Sequence, residues 1–189
     1  MNPGYYEEDF ERVAAAHGAY AFLPGTQIEI IRPLPARRPP RHVLLDFDGT
    51  LSLVREGWVD VMVPMMVEVL AATPTKESPA ELAALAKDFV TELTGKQTIY
   101  QMIRLAEEVR KRGATPREPV EYKKLYHDRL MERIAGRREA LRCGRAAPRD
   151  MLVPYSLELL DELRRRGAAL YVASGTDEQY VVEEVRLQW

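Results

Sequence analysis

Cysteine and histidine are scarce in this chain. Its 189 residues include one cysteine, Cys143, and three histidines. One cysteine cannot form an intramolecular disulfide, which excludes a disulfide-stabilised secreted fold and favours the reducing cytoplasm. The histidines, His17, His42 and His127, lack the short mutual spacing of a metal site, so we assign them no role.

The sequence also lacks an excess of charge of one sign and a long apolar run. The formal net charge is -2, which gives no broad basic surface for nucleic acid. The longest apolar-rich run, WVDVMVPMMVEVLAA, is interrupted by Asp60, Pro64 and Glu68 and is too short and too polar to span a bilayer. We therefore expect no nucleic-acid partner and no membrane association, while the oligomeric state stays open.

Proline is concentrated in one stretch, RPLPARRPPR, residues 32–41. Four prolines interleaved with arginine favour an extended linker, because proline lacks the N–H that a helix needs. The linker closes an N-terminal extension, residues 1–41. Within that extension we predict a helix over residues 5–17 and a short strand at TQIEII.

Two apolar segments that resemble buried strands follow the linker and are far apart in the chain. HVLLDF and AALYVAS are short apolar runs, and the residues between them have the periodicity of amphipathic helices. This order predicts an α/β fold in which a Rossmann-like parallel sheet core, residues 42–56 and 151–189, is interrupted by a helical insert, residues 57–150.

Helix boundaries in the insert are marked by capping residues and glycines. Ser78 and Glu81 have the spacing of a capping box, and Pro79 suits the first helical position. We predict helix ends at Gly95, at Gly113 and near Gly136. Met62, Met65 and Met66 are expected to pack inside the insert.

Acidic side chains follow the first predicted strand. Asp46 and Asp48 flank Phe47, so an extended chain directs both carboxylates to one side while Phe47 packs on the other. Their repulsion is relieved by a divalent cation or by protonation of one carboxylate. One can then attack phosphorus, and the other, with a raised pKa, can protonate a leaving oxygen.

Glycine and hydroxyl residues at both strand ends suit an anion. Gly49 permits a turn that brings backbone N–H groups close to a phosphate, and Thr50 adds a hydroxyl. Ser174 is placed to hold a phosphate oxygen, and Gly175 leaves the backbone accessible. The alternative is structural, because Asp-Gly is common in turns and Ser-Gly-Thr in helix caps.

DFDGTLS resembles motif I of the haloacid dehalogenase superfamily of phosphohydrolases, and LYVASGT resembles its motif II. The helical insert resembles the cap of the phosphoglycolate phosphatase and β-phosphoglucomutase branch. The resemblance implies that Asp46 forms an aspartyl-phosphate, that Asp48 is the general acid/base, and that Ser174 binds phosphate. It also implies Mg²⁺, held by Asp46 and by the backbone carbonyl of Asp48, and a small phosphorylated metabolite as substrate.

The sequence departs from the family after motif II. The family uses a later lysine to bind phosphate and one or two later aspartates to complete the Mg²⁺ site. Residues 175–189 contain no lysine, and their one aspartate is Asp177. We therefore expect an incomplete, C-terminally truncated copy of such a phosphatase.

Two further residues and two other functions stay open. Arg55, near the entry to the helical insert, suits a substrate contact or a salt bridge. Lys96, beside Gly95, could reach the substrate, and a cap lysine forms a Schiff base in the related phosphonoacetaldehyde hydrolases. The alternatives to a phosphatase are a phosphonate hydrolase that uses Lys96, and a non-catalytic remnant or interaction module.

Overall fold

The computed structural model describes residues 21–22, 24–25, 29–30 and 39–189. The chain separates into two compact units, residues 1–40 and residues 41–189. The predicted helix over residues 5–17 and most of the proline-rich linker lie outside the described residues. In the first unit, Ala21–Phe22 (β1) and Glu29–Ile30 (β2) pair in antiparallel fashion, and β2 lies within the predicted strand TQIEII.

Helices dominate the described part of the second unit. In chain order its elements are strand β3 (His42–Leu45), helices α1 (Val59–Ala71), α2 (Pro79–Glu92), α3 (Thr98–Lys111) and α4 (Pro119–Arg142), a short 3₁₀ helix (Pro148–Met151), helix α5 (Ser156–Arg165), strand β4 (Ala169–Val172) and helix α6 (Glu178–Gln188). β3 and β4 are parallel neighbours, with His42 opposite Ala169 and Leu45 opposite Val172.

The predicted Rossmann-like sheet core is wrong. Among the described residues the parallel sheet has two strands, and the architecture is mostly helical. Leu44 in β3 is 69% exposed and Val172 in β4 is 47% exposed, whereas a central strand of a Rossmann-like sheet is covered on both faces. The apolar run does form a strand, but its composition cannot distinguish a strand covered on two faces from one covered on a single face.

The larger hydrophobic core is formed mainly by α1 to α4. Met62, Met65 and Met66 of α1 are almost fully buried in it, which confirms their predicted packing. Phe89 of α2 and Leu105 of α3 belong to the same cluster. The helical insert therefore has a core of its own.

A second, smaller core lies beneath the strand pair. Phe47, Leu51, Leu160 of α5 and Val181 of α6 are buried together, with Leu45 of β3 packed against them at the edge. Phe47 is fully buried, as predicted from its position between the two aspartates. It fixes the chain at the point where β3 ends.

Most predicted helix boundaries agree with the structure, with one clear exception. The Ser78 hydroxyl accepts a hydrogen bond from the Glu81 N–H at 3.3 Å, and the Glu81 carboxylate accepts one from the Ser78 N–H at 2.7 Å, which confirms the capping box. The predicted helix end near Gly136 is wrong, since α4 continues to Arg142. One glycine weakens a helix by only about 1 kcal/mol relative to alanine, and Leu141 beyond it is buried.

Within the described ranges, no helix is both long enough and apolar enough to cross a membrane.

Candidate active site

The carboxyl ends of β3 and β4 bring the two predicted motifs together. The parallel register continues past the strands, because the Ala173 N–H donates to the Leu45 carbonyl at 2.8 Å. Asp46 and Asp48 follow β3, and Ser174 follows β4. The Ser174 hydroxyl lies 3.4 Å from Asp48 Oδ2, so residues 126 positions apart in sequence meet at this edge.

A tight turn after Phe47 positions Asp46. The Phe47 carbonyl accepts hydrogen bonds from Leu51 and Ser52, and Gly49 turns the chain with φ of +80°, a conformation that favours glycine. The Thr50 hydroxyl donates to Asp46 Oδ2 at 3.1 Å. Thr50 therefore orients the Asp46 carboxylate, whereas the Gly49 N–H donates to the Ser52 carbonyl at 2.8 Å and is not available to a phosphate.

One carboxylate oxygen of Asp48 accepts hydrogen bonds from two hydroxyl groups, and the other accepts none from the described residues. Thr176 donates to Oδ2 at 2.9 Å, alongside Ser174. Oδ1 is buried and accepts no hydrogen bond from the described residues. Burial raises the pKa of Asp48 and outweighs the lowering effects of Arg55 and Thr176. A raised pKa is the direction of shift that suits a carboxyl group to act as a general acid.

Ser174 and Gly175 have different roles in the structure. The Ser174 hydroxyl accepts the Thr176 N–H at 3.0 Å and so caps the turn after β4, while Gly175 and Thr176 line the neighbouring cavity. A Cβ on Gly175 would lie 3.3 Å from Gln97 Cα and 3.4 Å from the Lys96 carbonyl. Glycine is therefore favoured here by the close approach of the loop between α2 and α3.

A cavity of about 210 Å³ lies at these strand ends. It is smaller than the roughly 300–1,000 Å³ pockets that hold drug-sized ligands. Residues at and after the strand ends contribute Asp46, Asp48, Arg55 and Thr176 to its lining. The helical insert contributes a second set, which includes Lys96, Gln101, Lys123, Tyr126 and His127.

Arg55 belongs both to the cavity and to a buried ion pair. Its side chain is 6% exposed, and it donates to the Glu184 carboxylate from Nε at 3.0 Å and from Nη2 at 2.9 Å. Glu184 lies on α6 and is fully buried. Arg55 Nη1 also donates to the Thr176 hydroxyl at 3.1 Å, which links the loop after β3 to the loop after β4.

His127 and Lys123 of α4 are among the cavity residues that the sequence prediction missed. His127, to which we assigned no role, packs its ring against Tyr180 of α6 with a centroid distance of 4.0 Å. Lys123, one turn earlier, forms an ion pair with Asp177 at 2.7 Å. Their spacing of four residues places them on one helix face, but the sequence does not tell which face meets the strand ends.

Lys96 also lines the cavity, in the loop that contacts Gly175. Its Nζ lies 5.7 Å from the centroid of the Tyr100 ring. Lys96 and Asp46 therefore border the same space, as the phosphonate hydrolase hypothesis requires.

The donor groups at the strand ends suit Mg²⁺ in type. No cluster of three or more histidine, cysteine, aspartate or glutamate side chains suited to a metal occurs in the part of the chain that the structure describes. Mg²⁺ is nevertheless often held by one or two carboxylates, with water and substrate phosphate as the other ligands. Asp46 has one carboxylate oxygen that accepts no hydrogen bond from described residues and could serve as such a ligand.

Comparison with family models, curated proteins and solved structures found no match to this chain. What the site can do therefore has to be inferred from its own residues.

Proposed function

We propose that this chain carries the active site of an Mg²⁺-dependent phosphatase of the haloacid dehalogenase type, which acts in the cytoplasm on a small phosphorylated metabolite. The observation that carries the proposal is the meeting of Asp46, Asp48 and Thr176 at the ends of two parallel strands, beside a cavity of metabolite size.

The first half of the proposed reaction transfers the phosphoryl group to the protein. A carboxylate oxygen of Asp46, oriented by Thr50, attacks phosphorus, and the bond between phosphorus and the substrate oxygen breaks. Asp48 gives its proton to that leaving oxygen, which departs as an alcohol. The raised pKa of Asp48 supports this role, because the carboxyl must hold a proton before the step.

The second half releases inorganic phosphate. Asp48, now ionised, takes a proton from a water molecule whose oxygen attacks the phosphorus of the aspartyl-phosphate. The bond between phosphorus and Asp46 breaks, which restores both carboxyl groups to their starting states. Mg²⁺, held by the Asp46 carboxylate and the Asp48 carbonyl, would offset the negative charge of the phosphoryl group when bound.

Hydrolysis of an aryl phosphate by the purified protein tests the proposal. With Mg²⁺ we expect release of the phenol and a phosphorylated protein after incubation with labelled acetyl phosphate, and Asp46→Asn should abolish both. Asp161→Asn is the matched control, because this aspartate is 79% exposed on α5. Turnover or labelling that survives Asp46→Asn contradicts the mechanism. A folded wild-type protein that does neither favours the non-catalytic alternative.

A second candidate is a phosphonate hydrolase, favoured by the position of Lys96 at the same cavity as Asp46. Its amine would condense with a substrate carbonyl, with loss of water, to form a Schiff base. Borohydride should then trap phosphonoacetaldehyde on the wild-type protein and not on Lys96→Arg. Absence of trapping removes this candidate and leaves the phosphatase proposal intact.

A further inference from the structure

Arg55 is a buried cation beside the proposed catalytic carboxylates. It lines the cavity together with Asp46 and Asp48, and its Nε lies 3.5 Å from Asp48 Oδ1. A positive charge at this place, between the two strand ends, would attract a phosphoryl group.

The guanidinium group retains hydrogen-bond donors. Arginine has five N–H groups in a planar fork. Nε and one N–H of Nη2 donate to Glu184, and one N–H of Nη1 donates to Thr176. The second N–H on each of Nη1 and Nη2 has no acceptor among the described residues. Paired N–H groups of arginine match the geometry of a phosphate, which they bind in bidentate fashion.

The partners of Arg55 hold it in place. Glu184 is fully buried and accepts from two guanidinium nitrogens, while Thr176 accepts from the third. Burial of an arginine without a partner is unfavourable by several kcal/mol, and Glu184 offsets that term. A guanidinium fixed in this way loses little conformational entropy when it binds a ligand.

We propose that Arg55 is the phosphate-binding cation of this site, with Glu184 as the residue that positions it. The inference rests on the proposed function and identifies the group that binds the phosphoryl moiety in it. The competing interpretation is a purely structural ion pair between the loop after β3 and α6. In that case, loss of either partner would reduce stability without a separate effect on phosphate.

Binding of inorganic phosphate in the presence of Mg²⁺, measured by calorimetry on the full chain, separates the two interpretations. Hydrogen bonds to charged groups contribute about 1.5–3 kcal/mol, so Arg55→Gln should weaken binding roughly 10- to 100-fold. Arg137→Gln is the matched control, because Arg137 donates to the nearby Val54 and Glu56 carbonyls and does not line the cavity. Phosphate affinity of the control should stay within about twofold of wild type, a change below about 0.4 kcal/mol.

The Glu184→Gln variant tests whether an effect on stability can be separated from an effect on phosphate affinity. This variant should have a lower melting temperature and bind phosphate a fewfold more weakly than wild type, since the arginine remains but loses the carboxylate that positions it. The proposal is overturned if folded Arg55→Gln binds phosphate as tightly as wild type does. It is also overturned if Glu184→Gln loses as much phosphate affinity as Arg55→Gln.

A measurement on the wild-type protein decides the question if Arg55→Gln does not fold. The ¹⁵Nε resonance of Arg55, assigned with Arg55→Lys, should shift when millimolar phosphate is added. No shift, or no phosphate binding by the wild-type protein, overturns the proposal. Hydrolysis of esters by Asp46→Asn, in a protein whose wild type binds phosphate through Arg55, would contradict the proposed chemistry and leave the role of Arg55 intact.

Discussion

Gly175 is the residue at which the loop after β4 comes closest to the helical insert. Its φ is not positive, so the requirement for glycine comes from the backbone of Lys96 and Gln97 and not from conformational strain. This contact also explains why glycine follows Ser174, since any side chain at position 175 would push the two backbones apart.

Substitution of Gly175 should therefore have the opposite effect to substitution of a glycine in open space. We expect Gly175→Ala to destabilise the protein by about 1–3 kcal/mol, as overpacking does. Gly136→Ala, in the exposed middle of α4 with no atom within 4 Å of its added Cβ, should stabilise it by about 0.5–1 kcal/mol. Urea denaturation of both variants tests the pair, and equal effects of the same sign would contradict the close contact.

We expect His127 to make the stability of the protein dependent on pH. Partial burial, and secondarily the charge of Arg55, lower its pKa below the ordinary 6.5 in the folded protein. The unfolded chain then binds a proton more readily, so the contribution to stability is present above pH 6.5 and is lost as the pH falls through the lower folded-state pKa.

The His127→Gln variant tests this dependence. Its free energy of unfolding should fall less than that of wild type on acidification below pH 6.5. His42→Gln is the control for loss of a histidine, because His42 lies on exposed β3 beside Tyr171. If the free energy of unfolding of His127→Gln falls on acidification as much as that of wild type, His127 does not contribute to the pH dependence of stability.

At the scale of elements, local signals predicted local structure well. The Ser78 capping box and the strand that ends at Leu45 follow from sequence spacing alone. The number of strands in the sheet cannot be predicted in the same way, because the sequence of an apolar strand does not show what covers its outer face. Glu184 and His127 could not be assigned to the site for a related reason, since their roles depend on how α4 and α6 pack.

The capping box of α2 provides a test at the same scale. Ser78→Ala removes the acceptor of the Glu81 N–H and should destabilise the protein by about 1 kcal/mol. Thr91→Ala, at an exposed position of the same helix, should be neutral or slightly stabilising because alanine is the better helix former. Chemical denaturation that gives equal losses for the two variants would contradict a capping role.

At the scale of the second unit, the two hydrophobic cores differ in size. The core of α1 to α4 contains many more fully buried side chains than the one beneath the strand pair. Local stability follows the density of buried apolar contacts. The proposed catalytic residues therefore lie on the less densely packed part of the unit.

Hydrogen exchange should reveal this difference directly. We expect amides of β3 and β4 to exchange faster than those in the middle of α1 and α3, because the strands pair only with each other in the described region. Mass spectrometry of peptides from both parts measures the rates. If the amides of the strands exchange as slowly as those of the helices, the two parts open together as one cooperative unit.

The two tryptophans of the chain lie close to the candidate site, where their fluorescence can report on it. Trp58 borders the cavity, and the Trp189 ring lies 6.1 Å from that of Phe47, which is placed between the two aspartates. Indole emission depends on its immediate surroundings, so occupation of the cavity and movement of the turn can each be followed by fluorescence. The protein thus carries its own reporters, and no attached dye is needed to observe a ligand arrive.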